Sequence, residues 1–295
     1  MIDRGIAAEH VSFAYAAGGR NDSRSDFSSA RGAGARPVLD DVTIGIARGG
    51  LVGILGPNGS GKTTLLRMLG GLLTPLRGRV CLDGHDVRTL RRRDMARRVA
   101  MVPQETQLAF EYTVLEMAVM GRYPHLGAFE VEGPGDLDIA REGLRATGTL
   151  HLESRMFNTL SGGEKQRVVI AGALAQLERR GRESDPTDAL LLDEPTASLD
   201  LAYQLEVRSI LEHLNRERGT TIVVSTHDLN FASSVCHELI LLDRGRILAS
   251  GPTASMLDTG LIRQLYGVDV DIATNVRTGR LTVIPVARSE GVRPS

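Results

Sequence analysis

Apolar positions change their period several times along the chain. Residues 6–13 and 38–46 carry β-branched and aliphatic residues between polar turns, which predicts two strands. Residues 51–55 form a short unbroken apolar run, a buried strand that enters Gly56-Pro57-Asn58-Gly59-Ser60-Gly61. A helix is predicted from residue 62 to about 70. The Arg-rich residues 88–98 predict a short solvated helix, because charge runs usually face water. Residues 117–148 read as mostly helical, broken by a Gly/Pro stretch at 127–135. A further helix is predicted from Ser161 to about 178, and a buried strand at 189–192 ends at Asp193. Helix 201–218, strand 220–225, helix 228–236 and strand 238–243 follow. This alternation implies a parallel sheet covered by helices. Residues 269–286 predict two short strands that turn at Thr278-Gly279. No internal repeat is visible, so the chain holds one copy of its domain.

Two segments interrupt the pattern. Residues 16–36 are rich in Gly, Ser, Ala, Arg and Asp and carry too little apolar content to pack, so a flexible insert is expected. A polar insert is likewise expected at 179–188.

Composition adds exclusions. At 295 residues the chain suits one large domain or a domain with a modest appendage. With 42% hydrophobic and 24% charged residues it has the balance of a globular protein. A formal net charge of -1 gives no global reason to expect nucleic acid as a partner. Trp is absent and aromatics are 4%, too few for a base-stacking platform. Cys81 and Cys236 fit neither a disulfide framework nor a metal cluster and read as small apolar residues in a reducing compartment. No apolar run follows the N-terminus, so no signal peptide is expected. No window approaches the roughly 18 apolar residues of a membrane span, so transport would need a second chain. The only lysines are Lys62 and Lys165; the other basic residues are arginines, apart from histidine. A lysine retained against such a bias marks a place for a compact ammonium, and Lys62 lies in the Gly-rich loop.

Three segments carry chemistry. Residues 56–63 fit G-x-x-x-x-G-K-[ST], after a strand and before a helix. Glycines let backbone N–H groups converge on phosphate oxygens, and the helix adds its positive end. Lys62 can reach the β- and γ-phosphates, and Thr63 can offer a hydroxyl to Mg²⁺. Leu190-Leu191-Leu192-Asp193-Glu194 is a strand ending in two acids, and neighbouring strand residues point to opposite faces. Asp193 suits a Mg²⁺ shell; Glu194 suits orienting or deprotonating a water. Leu160-Ser161-Gly162-Gly163-Glu164 opens a helix with an S-x-x-E capping box, which accounts for Ser161 and Glu164. It does not account for two glycines, which weaken a first turn unless a backbone or a phosphate must approach closely.

Together these residues resemble the ABC ATPase family over almost the whole chain. Residues 56–64, ending in Thr64, look like its Walker A, 160–164 like its signature, and 190–194 like Walker B. Pro195-Thr196-Ala197-Ser198-Leu199-Asp200 is similar to its D-loop, Gln104 to its Q-loop glutamine and His227 to its switch histidine. Tyr15 falls where the family stacks a ring on adenine. The resemblance implies an α/β fold: a P-loop NTPase core of mostly parallel sheet, an antiparallel β subdomain, and a helical subdomain at about 105–178 carrying the signature, within a single domain over 1–295. It implies ATP and Mg²⁺, the latter held by Thr63, Gln104 and Asp193. It implies a head-to-tail homodimer in which Ser161 and Gly163 touch the γ-phosphate held by the other subunit, and it places Gly162 and Asp200 among the nucleotide-binding residues. Glu194 would be the general base, with His227, Gln104 and Lys62 beside it.

Thr113-Val114-Leu115-Glu116 and Met120-Gly121-Arg122-Tyr123-Pro124-His125-Leu126-Gly127, with the tail from Tyr266, resemble the ATPases of importers for ferric siderophores, haem and cobalamin. That subfamily implies an integral-membrane permease, a periplasmic or surface substrate-binding protein, and a peripheral position on the cytoplasmic face of the inner membrane. The two inserts depart from the usual pattern without cutting a motif. A soluble family member acting on DNA would need sustained heptads between Lys62 and Ser161, and none are present. One acting on ribosomes would carry two such domains. An exporter would often carry a fused span. In that subfamily the permease and the binding protein choose the cargo.

Overall fold

The period-two runs become strands and the longer periodic segments become helices in the computed structural model, which describes residues 5–15, 37–106, 108–178, 187–197 and 199–289. The first third contains β1 (Gly5–Phe13), β2 (Leu39–Ala47), β3 (Leu51–Leu55), α1 (Lys62–Leu69), β4 (Arg77–Leu82), β5 (His85–Asp86), α2 (Arg92–Ala96) and β6 (Val99–Val102). The middle contains α3 (Val114–Val119), α4 (Pro134–Ala146), α5 (Gly162–Leu177), β7 (Ala189–Asp193) and α6 (Leu201–Arg218). The remainder is β8 (Thr221–Thr226), α7 (Leu229–Val235), β9 (Glu238–Asp243), β10 (Arg246–Pro252), α8 (Thr253–Met256), α9 (Thr259–Tyr266), β11 (Val268–Thr274) and β12 (Leu281–Arg288). Residues 16–36, residues 179–186 of the second insert, and Ser198 lie outside the described residues.

A six-stranded sheet has the order β10-β9-β3-β8-β7-β6. It is parallel except at its edge, where β10 pairs antiparallel with β9. A separate antiparallel sheet has the order β2-β1-β4-β5. Strand alternation divides the core between two faces. Leu190, Leu192, Ile222 and Val224 face α5, α6, α7 and α9 in one cluster. Leu191, Val223, Val52 and Ile54 face α1 and the antiparallel sheet in another. A third cluster joins α3, α4 and α5 through Val114, Ala140, Leu144, Val168 and Ala171. Parallel strands buried on both faces must read as continuous apolar runs, which is why the runs at 51–55 and 189–193 have no polar alternation.

The segment from Gly121 to Gly127 is a joint rather than a surface turn. Arg122 is buried; its Nη1 donates to the carbonyls of Ala175 (2.6 Å) and Glu178 (2.7 Å), and its Nε to Asp136 (3.1 Å). It satisfies orphan carbonyls where α5 ends. His125 Nε2 lies 2.8 Å from the Gln176 carbonyl, and Gln176 donates to the carbonyls of Ala96 and Val99. Arg93 and Arg97 both donate to the carbonyl of Pro124, at 2.7 and 2.8 Å. The Arg-rich run is therefore only partly a solvated face.

Asp83, in the turn after β4, ties three regions together. Its carboxylate accepts from the Gly5 amide (2.9 Å), the Thr187 amide (3.0 Å) and the Thr187 hydroxyl (2.5 Å), and it pairs with Arg98. The last residues before β7 are thus held, and Thr187 is fully buried. Burial works to raise the Asp83 pKa, but the Thr187 and Gly5 hydrogen bonds and the Arg98 charge outweigh it and hold the group below its ordinary value. A depressed folded-state pKa contributes stability that is present above the unfolded value of about 3.9 and lost as pH falls through the folded pKa. Asp83→Ala is expected to cost about 2–4 kcal/mol in urea unfolding at pH 7. The deficit should shrink on acidification through that window. A constant deficit would mean that packing, not charge, holds the turn.

The tail docks on α7. Asn230 donates to the Val283 carbonyl (3.1 Å) and accepts from the Val283 amide (2.8 Å), and the Ser233 hydroxyl donates to the Leu281 carbonyl (2.5 Å).

Candidate functional site

The five residues of β3 are buried and aim the chain at the Gly-rich loop. Gly61 caps α1 at φ 104°, in the left-handed region that a Cβ would strain. Lys62, 5% exposed, folds back over the loop. Its Nζ donates to the carbonyls of Gly56 (2.8 Å) and Pro57 (3.1 Å) and lies 3.6 Å from Glu194 Oε1. Burial lowers the Lys62 pKa, against the upward pull of Glu194 and Asp193. The Ser60 hydroxyl is buried in the same loop and has no hydrogen-bond partner among the described residues.

Asp193 and Glu194 separate as strand geometry demands. Asp193 is buried at the end of β7 and accepts from the hydroxyls of Thr63 (3.1 Å) and Ser225 (2.6 Å). Glu194 has φ 46°, a left-handed conformation that costs a non-glycine residue about 1–2 kcal/mol. Its amide compensates by donating to the carbonyl of Ser225 at 3.0 Å. The turn swings its carboxylate between three elements. Gln104 Nε2 donates to Oε2 (3.4 Å), His227 Nδ1 lies 3.2 Å from Oε2, and Lys62 approaches Oε1. Gln104, Lys62, Thr63, Asp193, Glu194 and His227 thus form one constellation, although 165 positions separate the first and last of its members in sequence (62 to 227).

Tyr15, 39% exposed, stands at the edge of the loop. Its hydroxyl is 3.2 Å from that of Thr64, and its ring meets Phe13 edge-on at 5.0 Å between centroids. The segment Ser161–Gly163 lies elsewhere. Among the described residues no hydrogen bond or ion pair joins it to residues 56–64. Ser161 and Glu164 cap α5 reciprocally, at 2.8 and 3.3 Å. The two glycines differ in cause. A Cβ on Gly163 would come within 2.4 Å of the Tyr203 ring, so packing against α6 alone requires glycine there. A Cβ on Gly162, which is exposed, would meet among the described residues only Leu199, at an ordinary 3.7 Å, so none of them demands glycine there. Asp200 caps α6 by accepting from the Tyr203 amide at 3.1 Å.

The residues fit a nucleotide and Mg²⁺. The Thr63 hydroxyl, the Asp193 carboxylate and the Gln104 amide are hard oxygen donors, and Mg²⁺ takes one or two carboxylates with substrate phosphates rather than a protein cage. No cluster of three or more His, Cys, Asp or Glu residues suited to a metal occurs among the described residues. The unpartnered Ser60 hydroxyl and a buried ammonium resting on loop carbonyls are groups that phosphate oxygens would satisfy.

Sequence reasoning missed two members. Ser225 anchors both Asp193 and Glu194, yet reads in sequence as an ordinary strand residue. Tyr203 packs on Gly163 and carries Arg167 above its ring at 5.6 Å, with Arg167 also paired to Glu206 at 3.2 Å. The glycine pair was the signal for Tyr203, but it does not say which side chain approaches.

Comparison with known proteins agrees. The family model described as ABC transporter matches residues 39–197. The cobalamin import ATP-binding protein BtuD of Halobacterium salinarum is 39% identical over 254 residues, covering 86% of this chain; the chain spans 61% of that protein's length. The ferric enterobactin transport ATP-binding protein FepC of Escherichia coli is 37% identical, covering 88% of this chain and 92% of its own. The hemin import ATP-binding protein HmuV of Nocardia farcinica is 41% identical, covering 85% and 83%. In structure, a chain of a transporter assigned to the metal-chelate type, in an inward-facing conformation, superposes with a TM-score of 0.77 at 26% identity, covering 97% of this chain and 98% of its own. The dimeric bacterial ABC transporter cassette MJ0796 gives 0.68 at 29% identity, covering 84% and 98%. With its Gly-rich loop, paired acids and parallel sheet, the chain belongs to the ABC transporter family as an ATP-binding cassette.

Proposed function

We propose that the chain hydrolyses ATP as the nucleotide-binding subunit of an importer for a ferric siderophore, haem or cobalamin. The observation that carries the chemistry is the Glu194 carboxylate, held between Lys62, His227 and Gln104 at the mouth of the Gly-rich loop. In this reading the backbone of residues 56–64 and Lys62 bind the phosphates, and Tyr15 lies against the base. Thr63, Asp193 and Gln104 would hold Mg²⁺, which when bound would supply charge neutralisation at the phosphate oxygens. Glu194 takes the proton of the attacking water, and His227 orients that water and the terminal phosphate. Catalysis is then mostly positioning and charge stabilisation.

The exposed Gly162 supports a dimer, since no described residue of this chain needs its missing Cβ. Ser161, Gly162, Gly163 and Asp200 would close over the nucleotide of a second copy, head to tail. No helix among the described residues is long and apolar enough to cross a membrane. An integral-membrane permease is the partner that an importer reading calls for. A substrate-binding protein would deliver cargo to that permease, with this chain peripheral on the cytoplasmic face. The names of the relatives support the cargo class.

The test is affinity capture of the tagged chain from detergent-solubilised membranes of its host, with mass spectrometry of the eluate. A polytopic permease is expected, and its own relatives would narrow the cargo. Recovery of ribosomes or soluble proteins alone would leave ATP chemistry standing and remove the importer.

A further inference from the structure

His227 stands where β8 gives way to α7, and its ring is 54% exposed, with Glu194 as its one polar contact among the described residues. A ring so open takes its position from the backbone of residues 226–228. Upstream that backbone is fixed, because β8 lies between β3 and β7 and Thr226 pairs with Leu55. Downstream it runs into α7, a helix of only 7 residues. Phe231, Ala232 and Val235 bury one face of α7 in the core. Apolar burial is non-directional, so it selects the inward face without fixing the angle of the helix.

The tail supplies directional holds. Asn230, the second residue of α7, uses its side-chain amide in both senses on one residue of β12. Its Nδ2 donates to the Val283 carbonyl at 3.1 Å, and its Oδ1 accepts from the Val283 amide at 2.8 Å. Among side chains, only a carboxamide carries a donor and an acceptor so placed for a main-chain N–H and C=O. One turn on, the Ser233 hydroxyl donates to the Leu281 carbonyl at 2.5 Å. Arg280, just before β12, donates to Glu212 of α6 at 2.7 Å, and Arg208 donates to the same oxygen at 3.1 Å. Consecutive tail residues, Arg280 and Leu281, thus bind α6 and α7 respectively. A cavity of about 370 Å³ lies there, lined by Glu212, Asn215, Ser233, Cys236 and Arg280. At that level the two helices face a gap that the tail bridges.

We propose that Asn230 is a positioning residue for hydrolysis: by gripping the main chain at Val283, it lets the tail set the first turn of α7 and with it the direction of His227. The proposal rests on the role given to His227 above. It assigns residues 280–288 a part in the reaction, although they act only through α6 and α7.

Asn230→Ala in the full chain cuts both bonds to Val283. The position is exposed and alanine favours a helix, so the fold should survive. ATP affinity should stay within about twofold while kcat falls about tenfold, since a misdirected group costs rate rather than binding. Backbone amides of residues 227–231 should exchange faster than in the parent, and those of 56–64 equally. Single-turnover hydrolysis in a His227→Ala background separates positioning from general loosening: there Asn230→Ala should add less than about twofold, because its effect passes through His227. Ser233→Ala, which removes one oxygen and the second hold on α7, should lower kcat about threefold with the same dependence on His227. Asn230→Ala turning over at the parent rate would overturn the proposal. So would an equal loss in both backgrounds, or a matching fall in ATP affinity, either of which would make Asn230 a packing residue. His227→Ala turning over at the parent rate would instead sink the role given to His227, and this proposal with it.

Discussion

Glu194→Gln is expected to bind ATP at least as tightly as the parent and to hydrolyse it about a thousandfold more slowly, within the range that a general base supplies. Glutamine is nearly isosteric, so the hydrogen bond from Gln104 and the contact with His227 can be largely kept. What disappears is the charge and the ability to take a proton. Loss of the charge also frees Lys62 from its 3.6 Å ion pair, so less is given up when the ammonium turns to a phosphate. Binding and turnover should therefore move in opposite directions. Single-turnover hydrolysis alongside fluorescent-nucleotide titration measures both, and sizing in ATP should show dimers accumulating. Turnover at the parent rate would place the base elsewhere.

Lys62→Ala should weaken ATP binding by about 10- to 100-fold, the scale of a charge-assisted hydrogen bond to phosphate. The side chain is buried and rests on two carbonyls of its own loop. Truncation removes the phosphate contact and leaves Glu194 without its cationic neighbour. A modest fall in melting temperature should accompany the loss of affinity. Calorimetric titration decides the matter, and an unchanged dissociation constant would remove Lys62 from phosphate binding.

The sequence made some of this structure legible and concealed the rest for physical reasons. The helix Leu201–Arg218 and the strand Glu238–Asp243 were read to the residue, because each is long or strongly apolar and is bounded by clear turn or cap residues. Strand β4 was not seen: it begins Arg77-Gly78-Arg79, exposed at its start, and only its last half is buried. Strand β6 is four residues long and follows an arginine run, and β10 carries Gly251 and Pro252 at a sheet edge. Such strands exist through pairing rather than pattern. The site divides the same way. Lys62, Thr63, Asp193 and Glu194 announce themselves through local spacing. Ser225 and Tyr203 act through contacts with distant residues, and no local rule reports them. Gly163 shows how a correct suspicion can have a nearer cause than expected: its close neighbour is Tyr203, forty residues away in the same chain.

In the joint around Arg122, Arg93, Arg97, Arg122, His125 and Gln176 each reach main-chain carbonyls, and Arg122 also holds the Asp136 side chain. Every residue has a carbonyl, so the half-buried gripped positions Ala96 and Glu178 can change identity without loosening it, whereas Val99 and Ala175 are also fixed by core packing. Evolution could thus re-tailor the outward surface of the helical region for a different permease while a handful of donors kept its attachment constant. The same feature makes this region a place to graft foreign surface residues, provided the five donors are left alone.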